Sequence, residues 1–189
     1  APAKINLALN ILGRRTDGYH ELRMVMQSVS LCDTVTVEET GIGFTLLADG
    51  FTVPAGKSSL EQQAAEAFFA AVGRPMPPLT VHLEKTTPAY AGLGGGSADV
   101  AALLRCLRRQ YAPEMPVEQL RAIGLTVGSD MPFCVSGGTA LAEGRGERLT
   151  ALPALPDCWI VLCKPEFGIP TPALFTLADA GTPKNRPDI

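Results

Sequence analysis

Pro88-Ala89-Tyr90-Ala91-Gly92-Leu93-Gly94-Gly95-Gly96-Ser97-Ala98-Asp99 sets four glycines among five consecutive positions. The stretch leaves a segment, 79–84, that alternates as a strand. It enters another, 97–111, whose Val100, Leu103, Leu104, Leu107 and Tyr111 share one helical stripe. Arg105, Arg108 and Arg109 fall largely on the opposite, outer face. Glycines let backbone amides approach a ligand with no side chain in the way, and free amides at a helix start add positive potential. Phosphate is the guest such a loop suits. Two familiar phosphate motifs do not fit. A Walker loop ends in Gly-Lys-Ser/Thr, and no lysine follows Gly96. A dinucleotide fingerprint placed on Gly92 and Gly94 finds a small residue at Ser97 but no strand with a terminal acid about 20 residues on. The plainer alternative is a flexible turn with Ser97 as helix cap.

Upstream, Ala3-Lys4-Ile5-Asn6-Leu7-Ala8-Leu9-Asn10-Ile11 alternates strictly. This predicts a strand with Ile5, Leu7, Leu9 and Ile11 on one face and Lys4, Asn6, Ala8 and Asn10 on the other. Asp17-Gly18 tips a turn, and further strands are expected at 20–31, 34–40 and 43–49. A helix is expected over 58–72. Ser58 with Glu61, or Ser59 with Gln62, offers a capping box; Leu60, Ala64, Ala67, Phe68 and Ala71 repeat at helical spacing; Gly73 closes it. Another helix, over 116–123, begins at Pro116 and ends at Gly124. Short strands flank the Glu143-Gly144-Arg145-Gly146 turn, and 159–163 predicts a buried strand. Strands and helices mix without regular βαβ alternation, which selects an α+β fold over a doubly wound sheet.

Composition narrows the function classes. With 189 residues, 46% hydrophobic and 19% charged, the chain is globular and large enough for a real core. The 19 glycines and 16 prolines stay below the level of a low-complexity sequence. A net charge of −3 and a pI near 5.4, without a dense basic stripe, argue against a nucleic-acid partner. Five cysteines, no Cys-x-x-Cys and two histidines predict buried free thiols in a reducing compartment rather than disulfides or a metal site. No uncharged run reaches the ~18 residues of a membrane span, so no membrane partner is expected. The chain opens at Ala1 without a Met, as expected of a sequence lacking its true start.

Six further residues could carry chemistry, each with a bland alternative. Lys4 and Asn6, two apart on one strand face, stand roughly 6.5 Å apart and point the same way, which a solvated strand would also show. Asp130, in Gly128-Ser129-Asp130-Met131-Pro132, suits a turn that hydrogen-bonds its own backbone. Tyr19-His20 after the Asp-Gly turn suits a strand start, and His82 beside Glu84 reads as exposed and idle.

Pro2-Ala3-Lys4-Ile5-Asn6-Leu7, Asp17-Gly18-Tyr19-His20-Glu21-Leu22, Gly92-Leu93-Gly94-Gly95-Gly96-Ser97 and Gly128-Ser129-Asp130-Met131-Pro132-Phe133 occur in this order. Together they resemble the 4-diphosphocytidyl-2-C-methyl-D-erythritol kinase family of the GHMP kinase superfamily. The likeness continues through Ala142-Glu143-Gly144-Arg145-Gly146-Glu147 and Ile169-Pro170-Thr171-Pro172. The glycine loop alone indicates only the superfamily; its combination with Asp-Gly-Tyr-His and the opening Pro-Ala-Lys-Ile-Asn-Leu is specific to this member. The resemblance implies ATP as phosphoryl donor, wrapped by Pro88, Ala89, Tyr90, Ala91, Gly92, Leu93, Gly94, Gly95, Gly96, Ser97 and Ala98. It implies Lys4 and Asp130 as the catalytic pair acting on the C2 hydroxyl of 4-diphosphocytidyl-2-C-methyl-D-erythritol in isoprenoid precursor synthesis. Tyr19, His20 and Phe175 would hold the cytosine ring, and Asn6 would face the methylerythritol end. Mg²⁺ would ride on the ATP phosphates, with Ser97 as a candidate ligand. A loose phosphoryl-transfer transition state asks little basicity of Asp130, so orientation is its main expected task.

Departures and rivals accompany the likeness. The family commonly has a second serine where this chain has Ala98. Its members continue into a C-terminal domain with a second glycine-serine motif. The expected division is therefore 1–153, a GHMP-kinase-type N-terminal domain with mixed β-sheet and packed helices, and 154–189, the start of a C-terminal domain largely missing here. The cytoplasm of a bacterium, or a plastid, is the expected compartment. A GHMP kinase acting on mevalonate or homoserine is one rival, against which Tyr19-His20 and Phe175 speak. A non-catalytic nucleotide-binding relative is another, against which the retention of both Lys4 and Asp130 speaks.

Overall fold

The computed structural model describes residues 1–48, 58–168, 171–180 and 189. Residue 49 of an expected strand, and the stretches 169–170 and 182–187, lie outside them. Among the described residues, seven strands and five helices run in the order β1 Pro2–Arg14, β2 His20–Cys32, β3 Thr34–Glu38, β4 Phe44–Ala48, α1 Leu60–Val72, β5 Leu79–Glu84, α2 Gly95–Tyr111, α3 Val117–Val127, α4 Met131–Ser136, β6 Thr139–Gly144, β7 Arg148–Ala151 and α5 Thr171–Ala180. One antiparallel sheet has the order β1-β2-β6-β7. The other, β3-β5-β4, is mixed, because β4 and β5 run parallel across the α1 crossover while β3 pairs antiparallel. The α+β expectation holds.

The helices cover the sheets around a single core. Met24 and Met26 of β2, Ala140 and Ala142 of β6, and Leu79 and Val81 of β5 meet Phe68 of α1, Leu103, Leu104 and Leu107 of α2, Leu120 of α3, and Phe133 of α4. Ser59 caps α1 by accepting the Gln62 amide at 3.1 Å. The reciprocal arm of the box is missing, since the Gln62 side chain turns to Glu66 instead. Gly73 closes α1 in the left-handed region. The buried stripe of α1 is Ala64, Ala65, Phe68 and Phe69, so Leu60 and Ala71 lie outside it. Phe69 is recruited by an edge contact with Tyr111, 5.0 Å between ring centres.

Several expectations need correction. The β1 alternation is broken, because Asn6 pairs Met26 while Ala8 pairs Val25, leaving Leu7 as the extra residue of a bulge. A one-residue bulge exchanges the faces beyond it. Lys4, Asn6, Leu9 and Ile11 therefore share the side of Met24 and Met26, and Leu7 stays exposed. Helix α3 runs through Gly124, where a Cβ would stand 3.1 Å from that of Met131; the glycine is there for α4 to pack, not to end the helix. Arg105 and Arg108 are not a solvated face, since they donate to the carbonyls of Cys134 and Met115 at 2.6 Å. All five cysteines are free, yet only Cys134 is buried. Residues 159–163 form no strand, and Trp159 is 100% exposed. The run pairs with none of the described strands, and an apolar segment without a ladder partner is no strand. His82 is not idle either: its Nε2 stands 3.6 Å from Glu38.

Candidate active site

The glycine loop and the first strand are built into each other. The Lys4 amide donates to the Leu93 carbonyl at 2.9 Å, and the Lys4 side chain passes under Gly94. Gly94 has φ +66°, and a Cβ there would meet Lys4 Cγ at 2.9 Å. Both the backbone and the space require glycine. Lys4 is only 6% exposed, which rules out the solvated-strand reading. Its ammonium reaches Asp130, Nζ to Oδ2 3.6 Å. Asp130 precedes α4 and makes no capping bond with its side chain, so its carboxylate faces Lys4 and half-exposed space rather than its own backbone.

Helix α2 starts at Gly95, two residues before the position at which Ser97 would have served as cap, and its N-cap Gly94 offers no side chain. The first helical bond is from the Ala98 amide to the Gly94 carbonyl at 2.8 Å. The amides of Gly95, Gly96 and Ser97 thus have no intrahelical acceptor and sit at the positive end of a 17-residue helix. Ser97 is half-buried on that first turn. Earlier in the loop, Tyr90 takes φ 53° and is 80% exposed, a strained backbone for a bulky residue.

A charged group beneath the loop escaped the sequence reading. The Lys85 ammonium contacts the Asp33 carboxylate and lies 2.5 Å from Asp99 Oδ2. Burial alone would raise Asp33; the Lys85 ammonium and the amides of Thr87 and Thr86 outweigh it and hold the carboxyl at about 2. Asp99 goes the other way: burial lifts it to about 6 against the pull of Lys85. Nothing in the spacing of three single charged residues marks them as neighbours.

The other predicted residues gather at the far end of the β1–β2 ribbon, where Arg14 pairs His20, while Lys4 pairs Ser28. Tyr19 is exposed, its amide donating to Asp17 Oδ1 at 3.1 Å. His20 and Phe175 stack directly, 4.6 Å between centres at 14°. Two partners were not anticipated: Asp179, 2.8 Å from His20 Nε2, and Arg145, whose guanidinium lies 4.5 Å over the Tyr19 ring. The two ends are joined through the β6–β7 turn. Gly146 packs against the Ser129 carbonyl, 3.3 Å from a Cβ placed there, while its neighbour Arg145 covers Tyr19. Asn6 lies between the two ends, exposed on the face of Lys4. No group of three or more His, Cys, Asp or Glu able to hold a metal occurs among the described residues.

A two-sheet α+β domain with a glycine loop at a helix start and a lysine–aspartate pair beneath it defines a class of small-molecule kinase domain. Residues 59–138 match the GHMP kinases N terminal domain. A 4-diphosphocytidyl-2-C-methyl-D-erythritol kinase of Moorella thermoacetica is 44% identical over the whole of this chain, and one of Exiguobacterium sibiricum is 43% identical. This chain spans 66% of the length of each, just under two thirds. A crystal structure of 4-(cytidine 5'-diphospho)-2C-methyl-D-erythritol kinase superposes with TM-score 0.65 at 41% identity, covering 80% of this chain and 53% of that one. The Methanococcus jannaschii mevalonate kinase shares the fold, with TM-score 0.63 at 14% identity over 81% of this chain and 54% of that one. The chain thus carries the GHMP kinases N terminal domain over residues 59–138 and is similar along its whole length to proteins named 4-diphosphocytidyl-2-C-methyl-D-erythritol kinase.

Proposed function

We propose that the protein transfers the γ-phosphoryl group of ATP to the C2 hydroxyl of 4-diphosphocytidyl-2-C-methyl-D-erythritol. The observation that carries this is Lys4, fixed to the glycine loop through Leu93 and Gly94 and to Asp130 through its ammonium. One side chain thereby connects the donor's phosphate site to a carboxylate able to orient an acceptor hydroxyl. Residues 88–98 cradle the ATP phosphates with the free amides of α2. Lys4 offsets the negative charge on the moving phosphoryl group, and Asp130 orients the hydroxyl and accepts its proton. Mg²⁺ would be carried in by the nucleotide, with the Ser97 hydroxyl within the same first turn as a ligand, and would neutralise phosphate charge.

The acceptor runs along the β1–β2 ribbon. An acceptor with a polyol at one end of a diphosphate and a base at the other is long enough to touch both Lys4 and Tyr19; a compact one such as mevalonate touches one end alone. Asn6 contacts the polyol, and Tyr19, His20 and Phe175 bind the cytosine. Phe175 now lies on His20, so a base entering between the rings displaces one of them. The catalytic domain ends near residue 153, and a second domain begins beyond it. Its bacterial relatives favour a bacterial cytoplasm as the compartment; no helix of the described residues is long and apolar enough to cross a membrane.

The test is phosphoryl transfer by the purified full chain with ATP and each of three acceptors: the cytidylyl substrate, mevalonate and homoserine. Transfer to the first alone, with the new phosphate on C2 by phosphorus NMR, is expected. Equal kcat/KM on mevalonate or homoserine, or no transfer to any acceptor with ATP, would overturn the reading.

A further inference from the structure

The two segments that enter and leave the glycine loop are fastened to each other by charge. Lys85 lies just past β5 on the way in, and Asp99 stands near the start of α2 on the way out; the Lys85 ammonium is 2.5 Å from Asp99 Oδ2. The same ammonium contacts Asp33, which follows β2 and whose other oxygen accepts the amides of Thr86 and Thr87 at 2.7 Å each. Gly95, the first residue of α2, rests on this cluster: a Cβ there would meet Thr87 Cγ2 at 3.0 Å and Lys85 Nζ at 3.5 Å.

The cluster is poorly designed for stability. It holds two acids and one base, and the Asp33 and Asp99 side chains are 0% and 2% exposed. Asp99 Oδ1 and Thr87 Oγ1 are buried without a hydrogen-bond partner. Buried charges can often be replaced by apolar residues at no loss of stability, and native structures rarely leave such oxygens unpaired. What the cluster does fix is position. It sets the first turn of α2, with its three free amides, at one distance from the strand exit that begins the loop.

We propose that Asp33, Lys85 and Asp99 are positioning residues for the nucleotide loop, the Lys85 bridge holding both ends of the loop so that its amides are set for a triphosphate before one arrives. Preorganisation of this kind lowers the ordering cost of binding. The proposal rests on the reading of residues 88–98 as the ATP site.

The cleanest variant is Asp99→Asn, which removes the surplus charge and leaves Lys85 neutralised by Asp33, so the fold keeps a compensated pair. ATP affinity by calorimetry and the melting temperature are measured on the purified full chain. Asp99→Asn should bind ATP about tenfold more weakly with no fall in melting temperature. Lys85→Arg, which keeps a charge able to reach both carboxylates, should hold affinity near that of the parent. Unchanged ATP affinity in Asp99→Asn, or a loss that only follows a lowered melting temperature, would overturn the clamp. Failure of the parent chain to bind ATP would instead overturn the loop reading, and the clamp with it.

Discussion

Gly94 and Lys4 occupy each other's space: a methyl group on the Gly94 α-carbon would stand 2.9 Å from Lys4 Cγ and 3.0 Å from its Cε. The loop can close over the lysine only because that carbon is bare. Gly94→Ala should therefore push Lys4 away from Asp130 and strain the φ +66° backbone, at a stability cost of about 1–2 kcal/mol. A displacement near 1 Å at the reacting groups should lower kcat by roughly 100-fold. Steady-state kinetics beside a thermal melt checks this, and a variant with near-parental kcat would show that Lys4 need not stay where it lies.

Lys4→Ala and Asp130→Asn should each reduce turnover by about 100-fold or more while nucleotide affinity changes little. The two side chains face each other, Nζ to Oδ2 3.6 Å, and leave the loop amides free. Calorimetry with a non-hydrolysable ATP analogue separates binding from chemistry. A large loss of affinity in either variant would place that residue in nucleotide binding instead.

Cytosine should be preferred over uracil at the Tyr19, His20 and Phe175 end. Stacking is indifferent to the base, whereas His20 offers a nitrogen whose orientation is set by Asp179 at 2.8 Å. An unpaired polar edge costs about 1–3 kcal/mol, or roughly tenfold in affinity. CDP should inhibit more strongly than UDP, and His20→Ala should narrow the difference. Equal inhibition by the two in the parent protein would remove the base from this position.

Acid stability should follow Asp33. Its folded-state carboxyl sits at about 2, below the ordinary 3.8, so the ionised form is the one stabilised. The contribution is fully present above about pH 4 and is lost as pH falls toward 2, amounting to about 2 kcal/mol. Denaturant melts between pH 5 and 2 should show that fall in the parent and a flatter course in Asp33→Asn. Parallel curves would contradict the assignment.

Much was legible in the chain because it is local. The glycine run, the Val100-Leu103-Leu104-Leu107 stripe, and Ser59 and Gly73 as helix ends each depend on neighbours a few positions away. The errors fell where a distant partner decides. Leu7 leaves the β1 alternation because β2 advances by one residue fewer, and residues 159–163 pair with none of the described strands. Gly124 looks like a helix stop until Met131 is seen against it.

By itself the sequence determined the α+β class, the glycine loop at a helix start and the segments that hold Lys4, Asp130, Tyr19 and His20. Only the tertiary structure decided that the Lys4 ammonium lies 3.6 Å from Asp130, that Arg145 covers Tyr19, and that Lys85 joins Asp33 to Asp99. Helical and strand periods are set by backbone geometry that repeats within a few residues, so they are written in the order of side chains. An ion pair between residues far apart in the chain is set by how the sheets twist, where a bulge shifts the register and how closely a glycine lets two backbones approach. Those are properties of the packed whole, and no single stretch of the chain contains them.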